Sequence, residues 1–235
     1  MNQFIENIYE TGSVVGRSGQ IHELHSAIDR REGAFIHSII NNDSTIRHTL
    51  EVGCAYGLSS LHICSALRDR DGASHTIIDP FQNLSWDGIG IRNLETLGID
   101  FFNLMEKKSE FALPQLLEKN EAQFDFIFID GWHTFDHTLL DCFYATRLLR
   151  VGGVLAIDDV SFQSVRRVVS FLKNYPCYEE YGSVGPALLK KLRIYAATLV
   201  PSLYRKVVAD HYTRMVALKK TMEDTRDWDW HSNAF

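Results

Sequence analysis

No apolar run in this sequence approaches the ~18–20 residues that a membrane span needs. The first ten residues, MNQFIENIYE, show no basic start followed by an apolar stretch, so no secretory signal is expected. Cysteine is scarce. Cys54, Cys64, Cys142 and Cys177 lie far apart with no CxxC pair, which argues against a structural zinc site and fits reduced thiols in a cytoplasmic protein. Cation excess is missing too: the formal net charge is −6, which speaks against bulk nucleic-acid binding, because neutralising phosphates needs clustered cations. Internal repeats and low-complexity tracts are also absent.

What remains is a globular composition, 45% hydrophobic over 235 residues, the size of one substantial α/β domain with a small appendage. The charge is unevenly spread. Residues 160–235 hold twelve Lys or Arg against seven Asp or Glu, so the first 159 residues carry about −11. Over 186–220 the bases Lys190, Lys191, Arg193, Arg205, Lys206, Arg214, Lys219 and Lys220 face a single acid, Asp210. They read either as a solvated helix face or as a contact for an anionic substrate, partner or lipid surface.

Strand-length apolar runs at Thr49–Gly53, His75–Asp79, Phe101–Met105, Phe124–Asp130 and Val151–Asp158 alternate with helix-length segments at Ser59–Arg68, Glu110–Lys119 and Phe135–Arg150. That order predicts an α/β fold: a Rossmann-like, doubly wound and mostly parallel sheet. Phe81–Asp100 reads as a loop and a short helix, and Gln163–Asn174 as a further helix. Tyr178–Val184 and Ala187–Leu192 are expected to pair as a C-terminal hairpin across Gly185-Pro186. Tyr195–Met222 is expected to be one or two amphipathic helices, and Asp227–Phe235 a mobile tail. The resulting division is a helical cap over 1–42 with a break at Gly12–Gly19, a central domain over 43–193 and a helical extension over 194–235.

The sharpest local signal is Glu51-Val-Gly-Cys-Ala-Tyr-Gly57 at the end of the first strand of the central domain. Gly53 and Gly57 permit a sharp turn and close approach of a ligand, and a helix starting near Ser59 offers unpaired N–H groups. A dinucleotide site would show GxGxxG. Gly-x-x-x-Gly preceded by an acid suits a ligand with a cationic amino-acid end better than a pyrophosphate. Asp79 ends the second strand, where a carboxylate is placed to hold ribose hydroxyls; a helix N-cap is the plainer role for such an acid.

With these motifs the chain resembles the class I S-adenosylmethionine-dependent methyltransferases, LEVGCAYG matching their first motif and IIDPF their second, over roughly Leu50 to Asn174. The resemblance implies that Gly53, Ala55 and Gly57 line the methionine part of the cofactor and that Asp79 holds its ribose. It places Ser109 and Glu110 against the adenine, and Glu51, Tyr56, Ser59 and Asp130 complete the expected cofactor set.

Asp130 ends the fourth strand, in FDFIFIDGWHTF, and Asp158-Asp159 end the fifth, in GGVLAIDDV. Three carboxylates at one sheet edge repel unless protons or a cation intervene, and a hard divalent ion, Mg²⁺ foremost, resolves this. These residues resemble the metal-dependent O-methyltransferases, of the catechol type and the macrolide-sugar type, within methyltransferase family 24. The catechol-type pattern has Asp-Asn 28 positions after its first acid and a lysine base three after it. Here Asp159 replaces the asparagine and His133 the lysine, as in the sugar-modifying relatives. The resemblance implies Asp130, Asp158 and Asp159 as metal ligands and His133 as general base; taken alone, the acids are equally plain as structural caps and His133 as a hydrogen-bonding group. His137, one helical turn on, pairs with His133 in a pattern that zinc also uses. Trp132 and Trp86 could wall the acceptor pocket or merely pack. The expected activity is methyl transfer to a hydroxyl of a small molecule, with a homo-oligomer compatible with the sequence but not required by it, and with metal-independent N- or O-methylation and a noncatalytic cofactor-binding module as alternatives.

Overall fold

A computed structural model of the chain describes residues 3–119, 124–185 and 214–230. Helix α1 (Gln3–Thr11) leads into a two-stranded antiparallel hairpin, β1 (Ser13–Val15) and β2 (Ile21–Glu23), and then α2 (Arg30–Asn42). The central domain follows as β3 (His48–Val52), α3 (Leu58–Leu67), β4 (Ser74–Ile78), α4 (Ile89–Thr96), β5 (Phe102–Met105) and α5 (Ser109–Glu118). It continues as β6 (Phe124–Ile129), α6 (Phe135–Leu148), β7 (Leu149–Ile157), α7 (Gln163–Leu172), β8 (Tyr178–Val184) and β9 (Met215–Lys220). The sheet runs β5-β4-β3-β6-β7-β9-β8, with β3 to β7 mutually parallel and β9 antiparallel to both its neighbours. The expected α/β class and parallel order are present.

Period-two alternation sorts the strands onto two layers. Phe126 and Phe128 of β6, Val154 and Ala156 of β7, and Met215 and Ala217 of β9 pack into one core with α2, α3 and α4. Their neighbours Ile127, Ile129, Leu155, Ile157, Val216 and Leu218 pack into the other with α5, α6 and α7. Both faces are covered, which is why the central strands read as almost continuous apolar runs.

Three expectations change. The head is not only helical: the segment around Gly12–Gly19 is the β1–β2 hairpin, made possible by left-handed backbone at Gly12 (φ +61°) and Gly19 (φ +84°). Among the described residues β8 pairs with β9; Ala187–Leu192, the expected hairpin partner, lies outside them. Residues 195–213 of the expected helices also lie outside them, while Met215–Lys220 is a strand. Its four apolar residues in succession suit a strand buried on both faces, and Lys220 is buried with its ammonium donating to the Leu149 carbonyl and pairing with Glu223. Trp230, placed in the expected mobile tail, packs against Phe171 and Tyr175; residues 231–235 are outside the described range.

Candidate active site

Strand order reverses between β3 and β6: the chain winds outward through β4 and β5 on one side, then crosses to β6 and β7 on the other. Ligands of open α/β sheets bind at the carboxyl ends flanking such a point. The loops after β3, β4 and β6 converge there. The Asp130 N–H donates to the Val52 carbonyl (2.8 Å) and that of Gly53 to the Ile78 carbonyl (2.9 Å). Gly53 has φ +88°, and a Cβ on it would stand 2.1 Å from the Asp130 carbonyl oxygen. Backbone packing thus demands glycine here before any ligand does.

The turn after β3 is held from below by Asp79. Its buried carboxylate accepts from the backbone N–H groups of Cys54 (3.1 Å), Ala55 (2.9 Å) and Phe81 (2.8 Å) and from the Gln82 amide (3.0 Å). Asp79 therefore shapes the loop, including the left-handed Ala55 (φ +46°). The result is a cleft partly open to solvent. Its floor is Val52, Gly53, Ala55 and Asp79. One wall is Pro80, Phe81 and Trp86, another is Lys108, Ser109 and Glu110 at the start of α5, and Asp130, Gly131, Trp132 and His137 close the far side.

Of the residues expected at the cofactor, Gly53, Ala55, Asp79, Ser109, Glu110 and Asp130 line this cleft, whereas Glu51, Tyr56, Gly57 and Ser59 do not. Glu51 points into the layer beneath, where it accepts from Ser60 and pairs with buried His75 (3.2 Å). The Tyr56 hydroxyl reaches His25 (2.7 Å) and its ring meets Trp86 edge-on. Gly57, at φ +78°, starts α3 against the Gly90 backbone, and Ser59 is buried in its first turn. These four set the loop from behind rather than touch the cleft.

Past Asp130 lies an acidic group. His133 Nε2 stands 3.4 Å from Asp130 Oδ1 and 3.1 Å from Asp159 Oδ2, and the three side chains can place one ligand atom each within 4.8 Å of one another. Asp159 has left-handed backbone (φ +53°), an uncommon conformation for a residue with a side chain. Asp158 is behind this trio, nearly fully buried, with Oδ1 unpartnered among the described residues. Its carboxyl is held well above the usual range by burial, with Asp130, Glu32 and Asp159 adding to it. Burial likewise pushes Asp130 up to about 6 against the opposing pull of its His133 bond. His133 is raised by its bond to Asp130 and by the Asp159 charge, with burial opposing. Its ring stacks on half-exposed Phe162 (5.3 Å between centroids). His137 does not join the trio; it sits against Trp132 (4.8 Å) on the cleft side.

Sequence reasoning missed Glu32 and Asp141 and placed Arg214 only among the basic residues of 186–220. Asp29 and Glu32 form the capping box of α2, and Arg214, just before β9, reaches both, at 2.7 Å to buried Glu32 and 3.3 Å to Asp29. The D-x-x-E pattern was visible as a helix start, but nothing local tied it to the carboxyl end of β7. Asp141 shares the buried stripe of α6 with Thr138, Cys142 and Ala145, and an acid on such a stripe is the signal that could have found it.

This fold is a doubly wound α/β domain with a cleft at the switch point. Over residues 50–160 the chain carries a region that matches the family model of a methyltransferase domain. Its fold is shared with the O-methyltransferase TomG of Streptomyces achromogenes, solved with S-adenosylmethionine (TM-score 0.68, 18% identity, 94% of this chain and 91% of that one). It is shared equally with an O-methyltransferase of Bacillus cereus solved with S-adenosylhomocysteine (0.68, 16%, 94% and 92%). The Podospora anserina methyltransferase PaMTH1 is similar too (0.64, 14%, 94% and 88%). No curated protein sequence matches the chain. Among the described residues no helix is long and apolar enough to cross a membrane.

Proposed function

We propose that the protein transfers the methyl group of S-adenosylmethionine to a hydroxyl of a small molecule, with help from a divalent cation. The observation that carries this reading is the abutment of the cleft and the trio at one residue, Asp130. The cofactor would lie along the cleft, adenine toward Ser109 and Glu110, ribose over the loop that Asp79 braces, and sulfonium toward Asp130. The acceptor would enter beside His133, walled by exposed Trp132 and Phe162, whose aromatic faces suit a ring-bearing molecule.

The donor chemistry fits a divalent ion. Asp130 and Asp159 offer carboxylate oxygens at the rim, and the unpartnered Asp158 Oδ1 lies behind them. Hard ions such as Mg²⁺ take oxygen ligands, which leaves the His133 imidazole as the base. Such an ion would lower the pKa of an acceptor hydroxyl. The residues themselves orient the hydroxyl and receive its proton at His133 Nε2, while the sheet edge holds the reacting atoms in line. A metal-free route has one observation in its favour: His133, once protonated, pairs with both Asp130 and Asp159 and offsets one of their two charges.

The test is turnover with a panel of hydroxylated acceptors in Mg²⁺ and in chelator. Mg²⁺ should stimulate, chelator should suppress, and Asp159→Asn should weaken metal binding while S-adenosylhomocysteine still binds. Full turnover in chelator would remove the metal from the mechanism and leave the methyl transfer standing.

A further inference from the structure

The β1–β2 hairpin lies against the loop that follows β4, and one side chain makes most of the connection. The Asp87 carboxylate accepts from the Ser18 backbone N–H (3.1 and 3.3 Å to its two oxygens) and from the Ser18 hydroxyl, and it faces His22 Nε2 at 3.3 Å. The Asp87 carbonyl accepts from the Arg17 N–H (2.8 Å). Beside this contact Arg17 pairs with Glu95 of α4 (2.7 Å), and Arg92 of α4 donates to the Val15 carbonyl (3.0 Å). Gly16 is buried under the Asp87 carboxylate, and a Cβ there would overlap it. Its backbone is not left-handed, so only the approach of that carboxylate demands glycine.

The residue before Asp87 is Trp86, one wall of the cleft. Its ring meets Tyr56 edge-on at 5.0 Å and lies 6.1 Å from His25, which the Tyr56 hydroxyl bonds at 2.7 Å. Left-handed backbone at Asp87 (φ +48°), continued at Gly88 (φ +62°), parts the two neighbours. Trp86 goes to Tyr56 and the cleft, and the Asp87 carboxylate goes to the hairpin. Such backbone at a residue with a side chain persists where its surroundings hold it. Here the bonds from Ser18 and Arg17 do so.

We propose that Asp87 is a positioning residue for the ligand of the cleft: by latching the β1–β2 hairpin to the loop after β4, it fixes the Trp86 ring as a wall over the bound cofactor. The proposal rests on the reading of the cleft as the S-adenosylmethionine site. A wall fixed in advance spares the ligand the entropy of ordering a side chain and its loop on binding. A hairpin that only braced the fold would change stability and leave the Trp86 contribution to binding as it was. The two roles separate in a double-mutant cycle between positions 87 and 86.

The experiment is calorimetric titration of the full chain with S-adenosylhomocysteine. The wild type is compared with Asp87→Gly, Asp87→Asn, Gly16→Ala, Trp86→Ala and the Asp87→Gly/Trp86→Ala pair. Glycine at 87 keeps the left-handed turn and removes only the carboxylate. Asp87→Gly should weaken binding roughly three- to tenfold, and Gly16→Ala should match it by pushing the carboxylate off the hairpin. Asp87→Asn still accepts from Ser18 and tolerates the turn, so it should stay within about twofold of wild type. Trp86→Ala should weaken binding by about tenfold, and adding Asp87→Gly to it should change little more. If Gly16→Ala does not fold, the cycle between 87 and 86 still decides. Unchanged affinity in folded Asp87→Gly, or its full effect persisting in Trp86→Ala, overturns the proposal alone. No binding by folded wild type overturns the cofactor reading and this proposal with it.

Discussion

His133 is the residue proposed as the base, and its setting constrains what it can do. Between Asp130 and Asp159 it is held in its protonated form to higher pH than a free imidazole. As a base it works only above that raised value, so activity should fall as pH drops through it. A positioned base contributes roughly 10²–10⁴-fold in rate. His133→Ala should lower kcat by about that factor and remove the acidic limb of the pH–rate profile, with S-adenosylhomocysteine affinity near wild type. His137→Ala should act differently, on cofactor affinity more than on kcat, because His137 lines the cleft beside Trp132. Single-turnover methyl transfer across pH reads both. A His133→Ala variant that keeps the acidic limb would hand the base role to another group. Asp130, Asp158, Asp159 and His133 were singled out through the resemblance that FIDGWHTF and AIDDV carry. The split of roles between Asp158 and Asp159 was not, because it depends on the left-handed backbone at Asp159, which turns one of two adjacent carboxylates outward and leaves the other buried.

At the scale of elements, the parallel core was legible because each strand is a short apolar run bounded by polar turns, and alternation across β6, β7 and β9 divides it between two layers. The edge was not. β8 and β9 are separated by 30 residues, so no local turn signal joins them, and a strand of four apolar residues followed by two lysines resembles the end of an amphipathic helix. The buried Lys220 and the Arg214 pairs with Glu32 and Asp29 are long-range facts that composition presents as a basic surface. Arg214 also links β9 to α2 just where Asp158 is buried. Removing it leaves Glu32 buried without its counter-charge, the costly half of a broken ion pair. Since Arg214 is itself 40% exposed, the loss is solvent-screened: Arg214→Ala should cost about 2 kcal/mol in urea unfolding. Glu32→Gln in the same background should recover part of it. An Arg214→Ala variant as stable as wild type would mean the pair contributes specificity of placement rather than stability.

For the molecule as a whole, stability should depend on pH through a histidine far from the chemistry. His62 of α3 is buried beside Tyr9, in space left by the bare Cα of Gly33, and burial lowers its pKa to about 4 from 6.5. Between those values the unfolded chain binds a proton that the folded chain does not. Stability contributed by neutral His62 is therefore fully present above about 6.5 and lost as pH falls toward 4, by up to about 3 kcal/mol. Urea unfolding of wild type and His62→Gln across that window should show a smaller slope in the variant; identical slopes would assign the acid sensitivity to the carboxylates. The proposed methyl transfer depends first on the cleft, where the loops after β3, β4 and β6 meet and Asp79 braces the turn at Cys54 and Ala55. The most direct measurement is calorimetric titration of the full chain with S-adenosylmethionine, alongside Asp79→Ala. One-to-one binding by wild type, abolished or weakened at least tenfold in the folded variant, is the predicted result. A folded wild type that releases no heat and shows no saturable binding would contradict it.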